Sequence, residues 1–155
     1  MARILKPPAP LRLEEHERSL FLAGSIEMGR AEDWQAQVEH ALDDLEIVIL
    51  NPRREKWDAS FVQSIGNPPF REQVAWELTG LERASLVAVY FAPTTQAPIT
   101  LLELGLCARS GKILVCCPEG YWRRGNVEIV CDRFEIPMVP TLQELIGEVR
   151  ARMSK

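Results

Sequence analysis

Residues 86–117 read LVAVYFAPTTQAPITLLELGLCARSGKILVCC, and this stretch decides the fold. It opens with the apolar run Leu86–Phe91, closed by Ala92-Pro93, and ends with Ile113–Cys117, stopped by Pro118. Short continuous apolar runs bounded by breakers read as strands buried on both faces. Between them, Leu101–Arg109 has helical character, and Gly111 stands where a helix C-cap glycine belongs. Strand, helix and strand in this order form a βαβ unit, which makes the two strands parallel.

The same alternation extends in both directions. Upstream, Leu20–Ala23 ends at Gly24, and Ile47–Leu50 is stopped by Asn51-Pro52. Between these two strands, Trp34, Val38, Ala41 and Leu42 fall at helical spacing within Ala31–Asp44. Phe70–Arg83 repeats that spacing with Val74, Leu78 and Leu81. Downstream come a short element at Val127–Arg133, a fifth strand near Ile136–Val139 and a last helix at Leu142–Met153. The expected fold class is therefore α/β, a single-domain doubly wound parallel five-stranded sheet, flavodoxin-like or Rossmann-like. Residues 1–18 hold three prolines and no sustained periodicity. They read as an extended or loosely tethered N-terminal arm, leaving 19–155 as the domain.

Composition narrows the function. The chain has 155 residues, 46% hydrophobic and 26% charged, an ordinary globular mix that excludes fibrous or disordered classes. Its 22 acidic residues outnumber 18 basic ones for a net charge of −4, which argues against a nucleic acid polymer as partner. No apolar run is long enough to span a bilayer, and the N-terminus lacks the apolar core of a signal peptide, so no membrane partner is expected. Cys107, Cys116, Cys117 and Cys131 form no CxxC pair, and only His16 and His40 are available to assist them. They read as buried, reduced thiols of a cytoplasmic protein, with no metal site expected. No GxGxxG fingerprint or Walker lysine is present, so no cofactor is expected either.

In doubly wound sheets, ligands bind outside the carboxyl ends of the strands, where the strand order reverses. That rule selects four loops expected to line one crevice: Gly24–Arg30, Asn51–Asp58, Ala92–Glu103 and Pro118–Asn126. Gly24, Ser25 and Arg30 lead into a helix and suit an anion, by backbone N–H groups and a guanidinium. Glu103, in the first turns of a helix among leucines, is a carboxylate whose ionised form the helix dipole would favour. It is a candidate nucleophile for an oxocarbenium-like centre. A second carboxylate is required as general acid, and Glu72, Glu77 and Glu82 on the preceding helix are all available. Trp57, Trp76, Tyr90, Phe91, Tyr121 and Trp122 lie near these loops and include enough aromatics to stack on a planar base.

Three stretches carry a resemblance to the nucleoside 2-deoxyribosyltransferases and their N-glycosidase relatives: Phe21–Arg30, Trp76–Ser85 and Ile99–Lys112. The resemblance covers most of residues 20–131. It implies that Glu103 attacks C1′ of a (deoxy)nucleoside to give a glycosyl-enzyme intermediate, which a second base or water resolves. It implies that Glu77 stands for the family's assisting aspartate. Ser25 and Arg30 resemble the phosphate contacts of the 5′-monophosphate N-glycosidases. Asn126 resembles an asparagine that some members lend to a neighbouring subunit's site. The expected partners are therefore a small-molecule nucleoside or nucleotide and further copies of this chain as a homo-oligomer. Ala97, six residues before Glu103, stands where the transferases carry a base-contacting aspartate. This departure, together with Ser85 in place of the aspartate that the family carries before the third strand, motivates an alternative reading, a catalytically inactive nucleotide-binding or sensing module on the same fold.

Overall fold

The computed structural model describes residues 1–56 and 61–155. Among these, six strands form one parallel sheet: β1 (Arg3–Leu5), β2 (Ser19–Gly24), β3 (Val48–Leu50), β4 (Leu86–Tyr90), β5 (Ile113–Cys116) and β6 (Met138–Val139). Their order is β1-β3-β2-β4-β5-β6, and every adjacent pair is parallel. The five α-helices among the described residues are α1 (Trp34–Ala41), α2 (Pro68–Arg83), α3 (Pro98–Cys107), α4 (Arg124–Arg133) and α5 (Leu142–Met153). Leaving β1 aside, the order of the other five strands is that of flavodoxin-like sheets, and it reverses between β2 and β4.

The sheet has six strands rather than the five expected. The additional one, β1, pairs with β3 through Arg3 opposite Val48 and Leu5 opposite Leu50. It is three residues long and half-exposed or exposed throughout, so it lacks the fully apolar signature of the other strands. The chain that follows is tied across α2: Trp76 Nε1 donates to the Ala9 carbonyl at 2.9 Å, and Arg83 donates to those of Leu11 and Leu13.

The strands are apolar at every position because both faces are covered. Phe21, Val87, Val89 and Val115 face a layer built from α2, α3 and α4. Leu20, Leu22, Ala88 and Leu114 face α1 and α5. Adjacent Cys116 and Cys117 belong to opposite layers, as the twofold period of extended chain requires. Each large side chain fully buried in this way contributes roughly 1.5–3 kcal/mol relative to exposure.

Three local devices set α2 and α3, the helices that carry Glu77 and Glu103. Asn67 caps α2, its side chain accepting from the Phe70 N–H, with prolines in the first turn. At the other end of α2, Lys112 Nζ donates to the carbonyls of Leu81, Glu82 and Ala84. α3 starts from Ala97, a non-glycine residue in the left-handed region at φ 48°. The Gln96 carbonyl before it accepts from Tyr121 Oη at 2.6 Å and from Trp122 Nε1 at 3.0 Å. Among the described residues, no helix is long and apolar enough to cross a membrane.

Candidate active site

A cleft of about 580 Å³ opens at the carboxyl ends of β2 and β4, at the point where the strand order reverses. The loop after β2 supplies Gly24, Ser25 and Arg30, and the start of α3 supplies Ala97, Thr100 and Glu103. α2 closes a third side with Gln73 and Glu77, beside Pro52 from the loop after β3. Three of the four expected loops therefore contribute. The fourth, Pro118–Asn126, lines no part of the cleft; its Tyr121 and Trp122 instead hold the Gln96 turn from behind.

Helical periodicity places the two carboxylates. α3 buries Thr100, Glu103, Leu104 and Cys107, so Glu103 falls on the inward stripe and is only 8% exposed. On α2, Glu77 is half-buried and faces the cleft, whereas Glu72 and Glu82 are exposed on other faces. The choice among the three that spacing left open thus falls to Glu77.

Burial pushes the Glu103 carboxyl up to about 8, and the neighbouring Glu77 charge adds to that rise. This reverses the expectation from the helix dipole. Glu103 lies five residues beyond Pro98, past the first turn where the dipole acts, and desolvation outweighs it. Glu77 is also pushed up by burial, but Gln73 and the Arg54 charge pull it the other way. Gln73 Nε2 donates to Glu77 Oε1 at 3.1 Å, while Glu103 accepts no hydrogen bond from any described residue. The cleft therefore holds two coupled carboxyl groups in unequal surroundings, an arrangement suited to keeping one proton between them near neutrality.

The family model described as nucleoside 2-deoxyribosyltransferase like matches residues 17–121, well over half the chain and all of the cleft's framework. The chain belongs to the nucleoside 2-deoxyribosyltransferase-like family. Its fold is also that of a conserved protein from Enterococcus faecalis V583, known from a crystal structure. The two superpose with a TM-score of 0.60 at 12% identity, over 88% of this chain and 99% of that one. A comparison with curated proteins returned no match.

Within this family member, the loop after β2 is held from outside the cleft. Arg53 donates to the carbonyls of Gly29, Ala31 and Glu32 at 2.7–2.9 Å. Ser25 lines the cleft but is 2% exposed, with its hydroxyl engaged. It accepts from the Ala92 N–H at 3.2 Å and pairs with Thr95 Oγ1 at 2.7 Å. Since Thr95 donates to the Ala92 carbonyl, Ser25 is the donor in that pair, and no proton remains for a ligand. Arg30 lines the cleft, is exposed and forms no ion pair with any described residue. Asn126 is exposed on α4 and outside this chain's cleft.

The aromatics are distributed differently from the expectation. Trp76 is core, Phe91 packs against Tyr121 with the rings tilted and their centroids 4.8 Å apart, and Tyr90 donates to Glu32. Trp122 is engaged at Gln96, and Trp57 and Asp58 lie outside the described residues. Among the described residues, the aromatic side chains lining the cleft are Phe61 and Phe70. Phe70 was legible in principle, because it shares a helix face with Val74 and Glu77. Among the described residues, no group of three His, Cys, Asp or Glu side chains gathers to hold a metal.

Proposed function

We propose that this protein cleaves or transfers the N-glycosidic bond of a nucleoside or nucleotide, with Glu103 as nucleophile and Glu77 as proton donor. The observation that carries the proposal is the pair of inward-facing carboxyl groups in the cleft at the switch point. In the first step, ionised Glu103 attacks C1′ as the C1′–N bond breaks, and the base leaves with the proton from Glu77. In the second, water or another base attacks C1′ and breaks the ester. Glu77 accepts the proton released by the acceptor, and Glu103 regains its negative charge. Arg30 is the proposed contact for a 5′-phosphate, supported by its exposure on the cleft wall and the absence of an ion-pair partner among the described residues. Asn126 reaches a site only across an interface between copies, so its assignment goes with a homo-oligomer.

The test is a base-release assay over nucleosides, deoxynucleosides and their 5′-monophosphates, with Glu103→Gln as control. Free base from the parent protein, reduced at least about a thousandfold in the variant, is the expected result. Addition of a second free base then separates transfer from hydrolysis. Undiminished release by Glu103→Gln would remove it from the nucleophile's role.

One observation favours a second reading. Ala97 is 4% exposed and presents only a methyl group where the resemblance calls for a base-contacting carboxylate. A binding or sensing module predicts a nucleotide-dependent rise in melting temperature without any base release.

A further inference from the structure

Gln73 is 5% exposed, and its whole amide is in use. Nε2 donates one hydrogen to the Pro52 carbonyl at 3.0 Å and the other to Glu77 Oε1 at 3.1 Å. Oε1 accepts from Arg54 Nε at 2.7 Å. Turning the amide over would set its oxygen against two acceptors and its NH₂ against a donor, so these three partners fix one orientation. Glu77 Oε1 always meets an N–H, and a proton on that carboxyl must sit on Oε2. Glu103 receives no corresponding donor from any described residue.

We propose that Gln73, anchored by Arg54, is a positioning residue that keeps the negative charge of the carboxyl pair on Glu77 in the free protein and leaves the shared proton on Glu103. This rests on the roles proposed above for Glu103 and Glu77. It adds a step before the chemistry: the nucleophile is masked until the proton moves from Glu103 to Oε2 of Glu77. Positive charge developing on the sugar beside Glu103 favours the ionised form there and supplies the direction of that transfer. The proton lost by one carboxyl is the proton gained by the other, so the pair carries a single negative charge throughout. Among the described residues, the remaining charged or titratable groups around the pair are Arg54 from the loop after β3, Glu27 and Arg30 from the loop after β2, and Cys107 one turn along α3. Of these, Arg54 acts on the Glu77 carboxyl, and it acts in the same direction as Gln73.

The experiment is a carboxyl titration by NMR on protein carrying ¹³C-labelled glutamate, with Glu77→Gln and Glu103→Gln used for assignment. In the parent, Glu77 ionises first and Glu103 last. In Gln73→Met, which keeps side-chain length and removes both donors, the Glu77 titration moves up by about one pH unit toward that of Glu103. Arg54→Met leaves the amide in place without its anchor and gives a smaller shift of the same sign; it decides the matter should Gln73→Met fail to fold. An unmoved Glu77 titration in a folded variant overturns the proposal, as does a parent in which Glu103 ionises first. The acid limb of kcat/KM for base release shifts to higher pH in Gln73→Met, and kcat/KM at the optimum rises by up to about tenfold, because the charge is no longer held on Glu77. A merely structural glutamine would lower stability without moving that limb. A parent that releases no base defeats the glycosidic reading alone, because the titration still reports on Gln73.

Discussion

The indole of Trp34 lies so close over Gly24 that a Cβ built on the glycine would fall 2.5 Å from Cζ2 of the ring. The same Cβ would stand 2.5 Å from the Tyr90 carbonyl oxygen, so neither ring nor backbone has room to give. Trp34 also donates from Nε1 to the Ser25 carbonyl at 3.1 Å, which ties the first turn of α1 to the floor of the cleft. Gly24→Ala is therefore expected to lower stability by about 2–3 kcal/mol in urea unfolding. Gly105→Ala, on the exposed side of α3 with nothing within 4 Å, should raise it by about 0.5–1 kcal/mol. Equal stability of Gly24→Ala and the parent would show that the loop after β2 is free to move.

Glu103 links stability to pH. Its carboxyl is raised from the ordinary 4.5 to about 8, so folding is favoured while the group is protonated. That contribution is complete below the unfolded value and is lost as pH rises through the folded one. Glu103→Gln removes the ionisation and should be more stable than the parent at about pH 9, by on the order of 1–4 kcal/mol. At about pH 4 the two should match. A difference independent of pH, measured by chemical unfolding at both values, would mean the carboxyl is better solvated than its burial implies.

Activity should follow the protonation of the pair. The proposed chemistry needs one carboxyl ionised and one protonated, so kcat/KM for base release is expected to be bell-shaped. The alkaline limb should fall near about 8, where the pair loses its last proton. A rate that keeps rising well beyond this value would assign proton donation to a group outside the pair.

Arg30 offers a test of phosphate recognition. Arg30→Gln should raise KM for a 5′-monophosphate about tenfold or more, the loss of one charged hydrogen bond, and leave that for the nucleoside unchanged. Equal effects on both substrates would reduce Arg30 to a general part of the cleft wall.

What could be read from the sequence follows from how many neighbours each residue needs to acquire its role. β2, β3, β4 and β5 were legible because burial on both faces leaves an unbroken apolar run. β1 was not, since three residues with Arg3 and Ile4 exposed carry no such run and are ordered only by pairing with β3. Glu103 could be singled out by its place after a strand and by the family resemblance around it. Gln73 could not: one more polar residue on an amphipathic helix, it acquires its role from Pro52 and Arg54, some twenty residues away in sequence. Ser25 shows the converse. The turn was placed correctly at the cleft, but the hydroxyl is taken by Thr95, seventy residues on, which spacing cannot reveal.

Adjacent Cys116 and Cys117 offer a way to watch the two sides of this molecule separately. The layer under α1 and α5 contains one thiol, Cys116, whereas the layer under α2, α3 and α4 contains three: Cys107, Cys117 and Cys131. All four are unoxidised and buried, so a thiol-specific reagent can reach them only as the layers open. The number of labels each molecule has gained, followed over time by mass, would then tell which flank of the sheet gives way first. The flank that carries the cleft would announce itself in threes and the opposite one singly.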